Sequence, residues 1–126
     1  MENIQYESSV KVVESNTAAE MGSGDLPVFA TPALVALMEN AAMLAARQLL
    51  GEGETTVGAA MEVKHLAPSL QGDTVTAKAV LSERDGRKLV FTIEANDGYA
   101  TVGTAVHTRY IVVSEKFLAK ARTLRS

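Results

Sequence analysis

Apolar residues along this chain recur at three spacings, and each spacing predicts a different kind of element. From Val28 to Leu50, VFATPALVALMENAAMLAARQLL, they fill almost every position, which predicts a long helix apolar on nearly all sides. Thr31-Pro32 predicts its start, with Thr31 as N-cap and Pro32 at the first helical position, where a missing N–H costs nothing. Gly51 and Gly53 predict its end. On either side the apolar period drops to two. Ile4 to Ser15 is rich in β-branched residues and predicts a first strand, and Asn16 to Leu26, with its MGSGDLP portion, predicts an irregular approach to the helix. In Val57 to Leu66 the row Val57, Ala59, Met61, Val63 and His65 shares one strand face. Thr74 to Arg84, Lys88 to Asn96 and Tyr99 to Val113 predict three more strands, joined at Asp85-Gly86 and Asp97-Gly98 by hairpin turns. The third spacing is a single helical stripe, Phe117, Leu118, Ala121 and Leu124, in a short last helix for which Ser114 is a suitable cap.

The order of strand, long helix and then four strands with short turns implies an α+β fold with an antiparallel meander. One face of one sheet cannot cover a helix that is apolar all round. Either the sheet curls about it or a second copy covers the remainder. With the alanine run Ala33, Ala36, Ala41, Ala42, Ala45 and Ala46 allowing close approach, this predicts an obligate homodimer, which could pair again into a tetramer.

Length and composition narrow the picture without changing it. The 126 residues, 47% hydrophobic and 21% charged, fit one soluble domain over residues 1–126. The apolar stretch from Pro32 to Ala46 is too short to span a bilayer and holds Glu39 and Asn40, and MENIQYESSV lacks signal-peptide character, so no membrane association and a cytoplasmic location are expected. The absence of cysteine removes disulfides, thiolate nucleophiles and thiolate-bound metals. A net charge of −3 with no dense basic cluster argues against nucleic acid. Lys64, Arg84, Arg87, Lys88 and Arg109 are expected to be mainly a solvated population, one or two of them available to phosphates.

Candidate chemistry centres on Glu39, the sole ionisable side chain between Asp25 and Arg47. A carboxylate amid Leu37, Met38, Ala41 and Ala42 is expected to sit away from bulk water and to need a partner or a task. It could activate water or attack a carbonyl itself. Thr31 stands where free helix N–H groups and the positive end of the dipole face a ligand. Thr31 and Glu39 are eight residues apart, roughly 12 Å along a helix, so if both serve one substrate they are expected to come from different subunits. His65 closes an apolar row and is either a hydrogen-bonded core residue or a proton-transfer group. His107 is expected to be structural or at a subunit contact. A metal site made of His65, His107 and Glu39 lacks ligand spacing and is discounted.

A long helix wrapped by about five antiparallel strands is the hotdog fold. In Val28-Phe29-Ala30-Thr31, Leu37-Met38-Glu39, Gly58, Lys64-His65, the hairpin Glu83 to Arg87 and Gly103 to Arg109, the chain resembles the fluoroacetyl-CoA thioesterase-like group. The resemblance implies an acyl-CoA thioesterase with Thr31, Glu39 and His65 as catalytic residues. Gly58, through its backbone N–H, and Phe29 would be substrate-binding, and no cofactor or metal is needed. Members specific for fluoroacetyl-CoA carry aromatic residues over the substrate before the helix, whereas Ala18 to Leu26 has none, so a small or medium acyl group is expected. The alternative from another class is a non-catalytic acyl-CoA or small-ligand binding protein. A hotdog hydratase is disfavoured because those enzymes resemble a different Asp/His arrangement.

Overall fold

The computed structural model describes residues 3–125. Five strands, β1 (Gln5–Lys11), β2 (Glu54–His65), β3 (Thr74–Asp85), β4 (Lys88–Asn96) and β5 (Thr101–Val113), form one antiparallel sheet in the order β1-β3-β4-β5-β2. The long helix α2 (Thr31–Ala46) lies in the curl of that sheet, packing most extensively on β1 and β3 and reaching β2, β4 and β5 as well. This is the hotdog arrangement. No helix among the described residues is long and apolar enough to cross a membrane.

The strand periodicity does the expected work. Val75, Ala77, Ala79 and Leu81 of β3 and Leu89, Phe91, Ile93 and Ala95 of β4 face inward and join Leu34, Met38, Ala41, Ala42, Ala45 and Ala46 of α2 in one core. Small residues set the spacing of helix and sheet. At Gly103 of β5 a Cβ would lie 2.8 Å from Leu34 Cδ2 and 3.2 Å from Met38 Cε, so this glycine admits the N-terminal half of α2.

The helix is not wrapped on every side. Pro32, Ala36 and Asn40 are exposed and Val35, Glu39 and Met43 half-buried, so α2 keeps an open face. Four of the six alanines, Ala41, Ala42, Ala45 and Ala46, are spent against the chain's own sheet; Ala33 and Ala36 border the open side.

Several boundaries differ from the sequence expectation. The first strand stops at Lys11 because Asn16 folds back: its Oδ1 accepts from the Val13 N–H and its Nδ2 donates to the Lys11 carbonyl, which ends pairing and starts a 3-10 turn, Glu14–Asn16. The supposed irregular segment then contains a short helix α1 (Ala18–Met21), capped by the Thr17 hydroxyl and closed by Gly22 at φ 79°. In α2 the N-cap is Ala30, so Thr31 is the first helical residue and not the cap. The regular α-helix ends at Ala46 and tightens into a 3-10 turn, Arg47–Leu49, before Gly51. In the final helix α3 (Ser114–Thr123) the cap is Val113, and none of its side chains is buried.

Candidate active site

Two clusters of polar side chains lie along α2, one at its N-terminus and one two turns on. The first joins the start of α2 to the end of β2. His65 is the last residue of β2 and pairs with Gly103 of β5, the position that lets α2 approach; the helix start is thereby carried to the imidazole. Thr31 Oγ1 and His65 Nδ1 are 2.7 Å apart. Thr31 makes no cap hydrogen bond, which leaves its hydroxyl for this contact. Burial pushes His65 below its usual 6.5, against a smaller opposing pull from the backbone of Ala67, so the ring is neutral at pH 7. Thr31 holds one ring nitrogen, and the other, Nε2, is buried with no hydrogen-bond partner among the described residues. Thr31 and His65 line a cavity of about 310 Å³, and Phe29, itself 1% exposed, forms part of its wall.

The second cluster is built from a β-bulge. Gly58 of β2 pairs with Arg109 of β5, but the next pair is Ala60 with Thr108, leaving Ala59 unpaired. The bulge breaks the expected row: Thr56 is buried and Gly58 points to α2 before it, whereas Met61, Val63 and His65 resume the inward face after it. It also aims the Ala60 carbonyl at His107, whose Nδ1–H donates to it at 2.7 Å. With Nδ1 protonated, Nε2 carries the lone pair and accepts from Arg109 Nη1 at 3.1 Å. Burial pushes His107 below 6.5, the Ala60 carbonyl opposes this, and the Arg109 charge lowers it further, consistent with a neutral acceptor ring.

Arg109 is buried, which corrects its expected place among the solvated cations. Its Nε donates to Thr56 Oγ1 at 2.8 Å and its Nη2 to the Thr56 carbonyl at 3.0 Å. Nη1 lies 3.8 Å from Glu39 Oε2. Burial pulls the guanidinium below its usual range while Glu39 pulls it back. Glu39 is therefore paired within its own chain, and its side chain is 43% exposed there, so it is less secluded than its apolar flanks imply. The carboxylate occupies space that exists because residue 58 lacks a side chain: a Cβ at Gly58 would sit 2.6 Å from Glu39 Oε2.

Of the residues singled out from the sequence, the structure brings Thr31, His65 and Phe29 together at one cavity and Glu39 and Gly58 together at another region. Glu39 lines a separate cavity of about 270 Å³ with Ala36, Asn40, Met43 and Arg109. Between the two lies a third, of about 430 Å³, which shares Phe29 with the first and Ala36 and Asn40 with the second. Its apolar walls include Val10, Met21, Ala33 and Leu37. Thr56, His107 and Arg109 form a buried polar cluster that the sequence did not assemble, although it placed His107 and Arg109 on one strand face. Their signal was two ionisable residues at i and i+2 on the inward face of an otherwise apolar strand, opposite a glycine. Among the described residues, no group of three His, Asp or Glu side chains is placed to hold a metal ion.

The chain is similar to known proteins over most of its length. Residues 12–115 match the model of a family described as fluoroacetyl-CoA-specific thioesterase. A fluoroacetyl-CoA thioesterase of Streptantibioticus cattleyicolor is 41% identical over 95 residues, 75% of this chain and 68% of that protein. A mutant of the fluoroacetyl-CoA-specific thioesterase, solved with fluoroacetate and CoA, superposes with a TM-score of 0.89 at 32% identity, covering 96% of this chain and 99% of that one. A thioesterase superfamily member from Thermus thermophilus superposes with a TM-score of 0.90 at 28% identity, covering 99% and 93% of the two chains.

Proposed function

The chain belongs to the fluoroacetyl-CoA-specific thioesterase family and is a thioester hydrolase, and we propose that it cleaves small or medium acyl-CoA thioesters with Thr31, His65 and Glu39. The observation that carries the proposal is the Thr31–His65 contact of 2.7 Å at the N-terminus of α2, with a neutral imidazole whose Nε2 is unpartnered. A thioester carbonyl placed there meets the positive end of the helix and a hydroxyl–imidazole pair able to donate or accept a proton. Glu39, turned by Arg109, supplies the carboxylate that activates water or attacks the carbonyl. Gly58 makes room for that carboxylate and contributes its backbone N–H to the substrate.

The two clusters are on one helix, eight residues or about 12 Å apart at ~1.5 Å per residue, and they open into different cavities. We therefore read the working enzyme as a homodimer in which Glu39 of one copy meets Thr31 and His65 of the other. The open face of α2, with Ala36, Glu39, Asn40 and Met43, and the edge position of β2 in the sheet favour a second copy there. The acyl group is assigned to the apolar cavity between α1, β1 and α2, whose walls hold no aromatic residue except Phe29. That agrees with a small or medium acyl group, and no cofactor is required.

The test is free-thiol release from a panel of short, branched, aromatic and long acyl-CoA esters by wild type and Glu39→Gln. The chain has no cysteine to add background. Turnover lost in the variant, with the fold retained, supports the assignment. Silence of the wild type across the panel, with CoA esters still bound, replaces it with a binding protein.

A further inference from the structure

We propose that His107 is a positioning residue for the thioester chemistry, acting on Glu39 through Arg109. The inference rests on the role proposed for Glu39 and follows from how the guanidinium is held. A guanidinium is a rigid planar fork of five N–H groups, so fixing three of their directions fixes the others. Thr56 takes two, at Oγ1 and at its carbonyl, and His107 Nε2 takes the third at 3.1 Å. What remains of Nη1 faces Glu39 Oε2 at 3.8 Å.

His107 can act as that acceptor because the bulge at Gly58/Ala60 turns the Ala60 carbonyl onto its Nδ1. A carbonyl accepts only, so Nδ1 carries the hydrogen and Nε2 the lone pair. Protonation at Nε2 would set N–H against N–H and a second positive charge beside Arg109, and burial of the ring, 1% exposed, works against it. A residue that merely filled this part of the core would leave that Nη1–H of the buried Arg109 without its acceptor. His107 thereby links a bulge carbonyl to the carboxylate in one chain: Ala60, His107, Arg109, Glu39.

Two polar variants separate positioning from filling. His107→Asn keeps an amide N–H for the Ala60 carbonyl but ends short of Arg109, whereas His107→Gln places an amide oxygen where Nε2 stood. With acetyl-CoA and hexanoyl-CoA as probes, kcat of His107→Asn is expected to fall about 10- to 100-fold at nearly unchanged KM, since a small misplacement of a reacting group costs about that much. His107→Gln is expected to recover most of the loss, with melting temperatures of the two variants alike. His107→Met, apolar and of similar bulk, is the second test variant should Asn not fold, and its kcat falls in the same way. Equal kcat in the Gln variant and in whichever of Asn or Met folds would overturn the inference, as would a loss confined to KM. Full turnover in Glu39→Gln overturns the reading of Glu39 and this inference with it. Loss in Glu39→Gln beside wild-type kcat in His107→Asn overturns this inference alone.

Discussion

With Ala30 at the N-cap and its own hydroxyl 2.7 Å from His65, Thr31 is free of the helix end. Thr31→Ala is therefore expected to change stability by less than about 0.5 kcal/mol, as for an exposed substitution without a cap, while kcat falls on the order of 10²-fold. Denaturant melts and thiol-release kinetics on one preparation check both. A loss near 1 kcal/mol with unchanged kcat would return Thr31 to a capping role. At this scale the sequence exposed some residues well and others poorly. Glu39 was conspicuous as the one charge in a helix-long apolar run. Arg109, which holds it, was not, because the two are 70 positions apart and only the β2–β5 register at Gly58 brings them together. The side chain of Glu39 is also half open, because its apolar flanks Leu37, Met38, Ala41 and Ala42 face the sheet while its own side of the helix is left uncovered.

Elements with an unbroken period were legible, and those whose logic is local hydrogen bonding were less so. The helix and the inward rows of β3 and β4 follow directly from spacing. The bulge in β2 does not: nothing in ETTVGAAMEVKH says that Ala59 goes unpaired, yet that one residue reverses the face of Val57 relative to Met61. Helix α1 was hidden in a glycine-rich segment, although Thr17 with Glu20 three residues later and Gly22 after it is a start-and-stop pattern in itself. Packing between α2 and the sheet depends on Gly103 in a way that can be measured. Gly103→Ala puts a methyl 2.8 Å from Leu34 Cδ2 and 3.3 Å from the Lys64 carbonyl, in a region where Leu34 and Met38 are fully buried. Overpacking of this kind is expected to cost about 1–3 kcal/mol, and because it lifts the start of α2 from β5 it should also lengthen the Thr31–His65 contact and lower kcat. A variant of wild-type stability would show that the helix is free to shift.

For the whole molecule, acid is expected to be destabilising, in two stages. His65 and His107 lie below 6.5 in the fold, chiefly through burial. Asp97, at the β4–β5 turn, is pushed up by burial but pulled further down by the N–H groups of Tyr99 and Ala100 and the Ser69 hydroxyl, so its carboxyl stays below 3.8. In each case the unfolded chain binds the proton more readily. The histidine contribution is thus complete above 6.5 and lost as pH falls through the folded values, and that of Asp97 is complete above 3.8 and lost on further acidification. Melting temperature should be nearly constant above 6.5 and decline below it, and Asp97→Asn should lower it at neutral pH while blunting the last part of the decline. A melting temperature that rises on acidification would contradict these signs. The proposed sharing of the site between copies is tested most directly by mixing. Glu39→Gln and His65→Ala are each expected to be silent in thiol release from acyl-CoA. Unfolded and refolded together, they form mixed dimers in which one site holds both lesions and the other holds neither, and about a quarter of wild-type activity should return. No recovery in a mixture shown to contain mixed dimers would place Glu39, Thr31 and His65 of one chain at one thioester and contradict the account.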